Sequence, residues 1–181
     1  MTLYFITGNK DKFREIKALL PEIEHYNLAL PEIQEIDAQC ILKAKLLEAM
    51  KHKQGDFIVE DTSLYLECLH GLPGPLIKWF LKTAGTEGLW QLTEKYCNFA
   101  AEAKTIIGYA HNTHFYFFEG TLKGKIVKPS GNSGFGWDCI FQPEGCTKTF
   151  AEMTAVEKNA ISMRTRALNA LMLFLESHRH I

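Results

Sequence analysis

A chain of 181 residues, 46% hydrophobic and 23% charged, has the size of one domain and can bury a core without disulfides. Its formal net charge of -1 and its scattered lysines exclude the basic stripe of a nucleic-acid binder, so any polyanion it holds is small and held locally. No apolar run approaches the length that spans a bilayer, and the five cysteines are never spaced C-x-x-C, which suits free thiols in a reducing cytosol.

The N-terminal residues run straight into a strand-like segment, so no secretory signal is expected. Leu3 to Ile6 reads as a short strand that turns at Thr7-Gly8-Asn9. A helix with Phe13, Ile16, Leu19 and Leu20 on one stripe follows and stops at Pro21. Tyr26 to Leu30 suits a second short strand, and Cys40 to Lys53 a second helix. Phe57-Ile58-Val59 is a buried-strand run that ends in Glu60 and Asp61, with a further strand at Leu64 to Cys68. Gly71-Leu72-Pro73-Gly74-Pro75 forms a rigid loop. Helices are expected at Ile77 to Lys82 and Glu87 to Tyr96.

Lys104 to Ala110 and His114 to Glu119 read as an antiparallel pair turning at Asn112-Thr113, with Thr121 to Val127 extending the sheet. A glycine-rich loop, residues 130–138, leads to a short strand at Cys139 to Phe141. Thr154 with Glu157 makes a capping box at the start of a helix. Ile161, Leu168, Leu171, Met172 and Leu175 supply the apolar face of the last helical segment. No repeat or linker divides the chain, so residues 1–181 read as one α/β or mixed α+β domain with an extended sheet.

Four places carry chemistry. Thr7-Gly8-Asn9-Lys10-Asp11-Lys12 is a strand-to-helix turn, where helical N–H groups and Lys12 would suit phosphate; a capped turn without ligand has the same pattern. Glu60-Asp61-Thr62 places carboxylates where open α/β sheets bind ligands, though consecutive strand residues face opposite ways. Asp61, with Glu32 after Pro31, offers the hard oxygen ligands that Mg²⁺ takes; a solvated strand end is the alternative. Phe135-Gly136-Trp137-Asp138 sets aromatics for stacking beside an acceptor for a ring N–H, or else packs its rings into a core. Lys158 and Arg164 are donors six residues apart. They lie about 120° apart on one helix, so they converge only if the chain bends between them. Ser162 is a suitable N-cap for that bend.

Taken together and in order, these stretches resemble the inosine triphosphate pyrophosphatase family. The matching residues are Phe5-Ile6-Thr7-Gly8-Asn9 with Lys12; Val59-Glu60-Asp61-Thr62; Gly71-Leu72-Pro73-Gly74-Pro75 with Ile77-Lys78-Trp79-Phe80; and Phe135-Gly136-Trp137-Asp138. Ala151-Glu152-Met153 with Glu157-Lys158-Asn159-Ala160 and Ser162-x-Arg164 completes the set. The resemblance implies an elongated two-lobed α/β fold, a mixed sheet flanked by helices with a nucleotide cleft between the lobes, and a homodimer. It implies that Thr7, Gly8, Asn9 and Lys12 cradle phosphate, helped by Thr62, Lys78 and a lysine of the second helix. The local match Ile41-Leu42-Lys43-Ala44 selects Lys43 for that lysine, whereas ungapped counting back from Glu60 selects Lys45. Glu32 and Asp61 would hold Mg²⁺, or Mn²⁺, with Asp61 and Lys12 catalytic. Phe135, Gly136, Trp137, Asp138, Lys158, Met163 and Arg164 would form the base pocket. Met163 stands where the family usually has histidine, and weaker discrimination among bases is expected.

The implied reaction is hydrolysis of non-canonical purine triphosphates (inosine, deoxyinosine or xanthosine) to monophosphate and pyrophosphate. The competing readings are a pyrophosphatase for modified pyrimidine triphosphates and a nucleotide-binding module without turnover. Neither a nucleic-acid nor a membrane partner is expected.

Overall fold

Alternation along β1 (Leu3–Ile6) sends neighbouring side chains into different cores. In the computed structural model, which describes residues 2–52 and 54–178, Phe5 packs with Ile16, Ile58, Leu168 and Leu171, and Ile6 with Leu42, Leu46, Phe57 and Val59. The first group includes residues of α1 (Lys10–Leu19) and α6 (Met163–Ser177). The second is covered by α2 (Ala38–Met50), which buries Ile41, Leu42, Lys45, Leu46 and Ala49. Asp37 caps α2 by accepting from the Gln39 N–H. The expected end of this helix at Lys53 lies outside the described residues.

The chain forms two compact units, each discontinuous in sequence. The first comprises Met1–Asp61, Thr105–Gly120 and Arg164–Ile181; the second comprises Thr62–Lys104 and Thr121–Met163. In the first, β1 pairs in parallel with β2 (Glu24–Tyr26) and with β3 (Asp56–Leu66). The second strand therefore precedes the expected Tyr26 to Leu30. It pairs only through residues opposite Tyr4 to Ile6, and a tight turn from Leu28 N–H to Tyr26 C=O ends it.

The two strands expected around Glu60-Asp61 are one. β3 runs unbroken from Asp56 to Leu66, so both carboxylates lie within a strand rather than at its end. A strand can pass through two carboxylates when each finds a cation on its own face, and both do so here. In the second unit β3 pairs antiparallel with the two-residue β4 (Pro73–Gly74), with Leu64 opposite Gly74. Helices α3 (Ile77–Thr83) and α4 (Gly85–Lys95) follow.

β5 (Ala100–His111) and β6 (His114–Ile126) are the expected hairpin, each longer than its alternating core, and β6 absorbs the separate Thr121 to Val127 strand. β7 (Phe141–Pro143) pairs antiparallel with the end of β6. It begins later than expected because turns from Asp138 N–H to Phe135 C=O and from Ile140 N–H to Trp137 C=O occupy the preceding residues. The sheet order is β2-β1-β3-β5-β6-β7, with β4 beside β3. The second unit has its own core, including Leu64, Leu89, Ala103, Ile140, Phe141 and Phe150.

α5 (Ala155–Ile161) opens with the expected capping box. Glu157 N–H donates to Thr154 Oγ1 at 3.2 Å, and Thr154 N–H donates to Glu157 Oε2 at 2.7 Å. Ser162 then stands extended, with φ -63° and ψ 151°, and α6 begins at Met163. The helical run is broken there, as the pattern around Ser162 anticipates. Among the described residues no helix is long and apolar enough to cross a membrane.

Candidate functional site

In the first unit the turn between β1 and α1 is built by its own polar side chains. Asn9 caps α1, its side-chain oxygen accepting from the N–H groups of Asp11 at 2.9 Å and Lys12 at 3.1 Å. Its own N–H donates to Thr7 Oγ1 at 3.0 Å. Gly8 and Asn9 remain exposed and Thr7 half-buried. A helix start of this kind favours an anion.

Lys12 turns inward, and its Nζ lies 3.2 Å from Oε1 of Glu60. Glu60 is buried and grips Arg164 through two bonds, Nε to Oε2 at 2.7 Å and Nη2 to Oε1 at 2.9 Å. Nη1 of Arg164 pairs with Glu15. Lys12, Arg164, Glu60 and Glu15 thus join in one charged network. Burial opposes the charge on Arg164, but Glu60 and Glu15 outweigh it and raise its pKa above the ordinary value. Arg164, grouped by the sequence with the base-binding donors, therefore belongs to the first unit, whereas Lys158 belongs to the second. Neither Glu60 nor Glu15 carries a firm role in the sequence reading. Strand alternation hints at a separate task for Glu60, and no local signal marks Glu15.

On the other face of β3, Asp61 meets α2. Lys45 Nζ stands 3.1 Å from Glu32 Oε1 and 3.9 Å from Asp61 Oδ1. The helix lysine beside the carboxylates is thus Lys45, while Lys43 lies exposed. The reason is helical phase, since Lys45 shares the buried stripe with Ile41, Leu42 and Leu46, and Lys43 does not. Among the described residues no group of three or more His, Cys, Asp or Glu side chains could hold a metal ion. Glu32 and Asp61 nevertheless share one cation, and both offer hard oxygens. That donor set fits Mg²⁺ or Mn²⁺, since Mg²⁺ is usually bound by one or two carboxylates together with substrate phosphates.

The second unit holds the aromatic and Lys158 set. Asp138 Oδ2 accepts from the Phe135 N–H at 2.8 Å and from Lys158 Nζ at 2.7 Å, and both side chains of the ion pair are buried. The Lys158 ammonium also lies 4.9 Å from the centre of the Phe135 ring and 5.3 Å from that of Phe150. Phe135 is half-buried and Gly136 exposed. Trp137, expected as a stacking surface, is instead a core residue, edge-on to Phe141 at 5.4 Å. Met163 is buried in the same core. Lys78 is exposed near the start of α3, and Thr62 is half-buried in β3.

The chain matches the model of the Ham1 family over residues 3–174. It is 39% identical over 184 residues to the inosine triphosphate pyrophosphatase of Schizosaccharomyces pombe, covering 99% of this chain and 97% of that protein. It is 43% identical over 172 residues to inosine triphosphate pyrophosphatase 1 of Trypanosoma cruzi, covering 92% and 88%. Its fold is similar to that of the Staphylococcus aureus Ham1 protein, with a TM-score of 0.83 at 24% identity over 97% of this chain and 99% of that one.

Proposed function

The chain belongs to the Ham1 family, and on that footing we propose that it hydrolyses inosine and xanthosine triphosphates, and their deoxy forms, to the monophosphate and pyrophosphate. The observation that carries this reading is the pair Glu32 and Asp61 sharing one cation beside α2, in a chain with inosine triphosphate pyrophosphatases as full-length relatives. Water attacks the α-phosphorus, the bond to the bridging oxygen breaks, and pyrophosphate leaves with that oxygen. Asp61 orients the water and takes its proton. Lys12, at the head of α1, and Lys45 bear on the charge that builds on the leaving group, with Lys78 and the Thr7-Gly8-Asn9 turn holding phosphate oxygens. Lys45 replaces Lys43 in this assignment because Lys45 is the lysine beside Glu32 and Asp61. Glu32 and Asp61 would hold Mg²⁺ or Mn²⁺, which supplies charge neutralisation and Lewis acidity when bound.

Phe135 offers a face for the base, and Lys158 offers donors only. A 6-oxo purine presents an acceptor to such a group, whereas adenine presents a 6-amino donor and is rejected. The family resemblance also supports a homodimer.

The test is pyrophosphate release from inosine, xanthosine, guanosine, adenosine and deoxyuridine triphosphates, with Mg²⁺ and with chelator. Fast, metal-dependent release from the first two and little from adenosine triphosphate is expected. Asp61→Asn should lower kcat by about 10²–10⁴-fold while nucleotide still binds. Undiminished turnover by that variant would remove Asp61 from the mechanism, and preference for deoxyuridine triphosphate would favour the pyrimidine reading.

A further inference from the structure

The loop at residues 130–138 carries Phe135 and Asp138, and side-chain bonds add to a backbone bond at its base, where the Ser130 N–H donates to the Cys139 carbonyl at 2.8 Å. Ser130 Oγ donates to Glu152 Oε1 at 2.7 Å. The other oxygen of that carboxylate, Oε2, accepts from the Thr149 N–H at 2.7 Å. Thr149 Oγ1 returns a bond to the Ser130 carbonyl at 2.9 Å, which closes a ring of three residues.

Further along the loop, Ser133 Oγ donates to the Ala151 carbonyl at 2.6 Å, and the Ser133 N–H donates to the same oxygen at 3.2 Å. The Ala151 N–H donates to the Asp138 carbonyl at 3.2 Å. Gly131, at φ +91°, passes so close to the Ala151 backbone that a Cβ would overlap it. The Thr149 N–H, then the Ser130 hydroxyl, hold the Glu152 carboxyl below its ordinary pKa.

We propose that Glu152 is a positioning residue for base recognition: its carboxylate ties Ser130 to Thr149 and so fixes the loop that presents Phe135 and Asp138. It acts through the loop rather than on the nucleotide. The inference rests on the assignment of Phe135 and Lys158 to the base, and it gives a task to the one acidic residue of the Ala151-Glu152-Met153 motif. A purely structural alternative is at hand, because Glu152 also completes the capping box of the 3-10 turn Phe150–Glu152. The two roles separate at Ser130, whose hydroxyl belongs to the loop tie and not to the cap.

The experiment compares wild type, Ser130→Ala, Glu152→Ala and Glu152→Gln. It measures kcat and KM for inosine and adenosine triphosphates, and backbone hydrogen exchange across residues 130–138. Glu152→Ala should raise KM for inosine triphosphate about tenfold, and Ser130→Ala about threefold, with kcat changed less than about twofold. Preference over adenosine triphosphate should fall in step, and exchange at 130–138 should quicken. Glu152→Gln should recover most of the KM, because its amide accepts from Thr149 while the Ser130 hydroxyl turns to accept from it. A fall in kcat at unchanged KM, or unaltered exchange in Glu152→Ala, overturns the proposal. A wild type that turns over inosine triphosphate beside a kinetically silent Glu152→Ala overturns it alone. A wild type inactive on every purine triphosphate overturns it together with the functional reading.

Discussion

Arg164 is almost fully buried and is committed on three nitrogens to two carboxylates. Its position in Ser162-x-Arg164 was legible as a motif, but its partners were not, because Glu15 and Glu60 lie 149 and 104 residues away in sequence. Only the fold brings such groups together. Removing one partner of a buried ion pair leaves an uncompensated charge, which costs about 3–5 kcal/mol, whereas replacing both by apolar groups is often neutral. Arg164→Met should therefore lower unfolding free energy by about that amount. The double change Arg164→Met with Glu60→Met should cost less than the two single changes summed, though Glu15 and Lys12 each still lose a partner, as urea denaturation would show. Additive losses in the double variant would mean that the two side chains are not coupled. Lys45 was harder to read. Two rules of counting disagree over it, and helical phase places Lys45, not Lys43, among the buried residues and beside Glu32 and Asp61.

At the level of elements, the strands and helices with clean periodicity lie close to where the sequence placed them, including the β5–β6 hairpin and the break at Ser162. By sequence β3 reads as two strands, because Glu60 and Asp61 look like a solvated end. Their cations come from α1, α2 and α6, and nothing within the strand announces them. Trp137 is ambiguous for a related reason, since an aromatic beside glycines looks the same whether it faces a ligand or the core, and here it packs in the core. Gly108 in β5 shows how closely α2 approaches the sheet. A Cβ there would stand 3.1 Å from Leu46 Cδ1, 3.4 Å from Val59 Cγ2 and 3.5 Å from Leu42 Cβ. The β-branched side chain of valine suits a strand but overfills this contact. Gly108→Val should therefore cost about 1–3 kcal/mol by overpacking, read as a lower urea midpoint at unchanged m-value. A neutral or stabilising outcome would show that α2 can move away from β5.

Across the whole chain, stability against pH is set by groups in both units. Glu48, in the first unit, is held below its ordinary pKa by bonds from Lys51 and His52. In the second, Glu152 is lowered, and Glu157 is pulled down to about 2 by the Lys148 ammonium and then by the Thr154 N–H. A carboxyl that is more acidic in the folded chain binds fewer protons there than in the unfolded chain. Its contribution is therefore complete above the ordinary value of 4.5 and, for Glu157, is lost as pH falls from there towards 2. On the alkaline side, burial and then the bond to Asp56 raise Tyr109 above its ordinary value of 10. That contribution is whole below pH 10 and declines as pH rises beyond it. With 20 lysines and arginines against 21 acidic residues, protonating carboxylates also drives the chain from near neutrality to strong self-repulsion. Urea midpoints should thus hold a plateau near neutrality and fall on both sides. Lys148→Met removes the first cause of the Glu157 shift, so its midpoint should decline less steeply between pH 5 and 2 than that of wild type. Because the Lys148–Glu157 pair is exposed, with the amine at 2.9 Å from the carboxylate, about 1 M salt should shrink the difference between the two curves. Parallel acid limbs at low salt would show that this pair does not govern the acid response, and would leave it to the other carboxyls, Glu48 and Glu152 among them, and to self-repulsion.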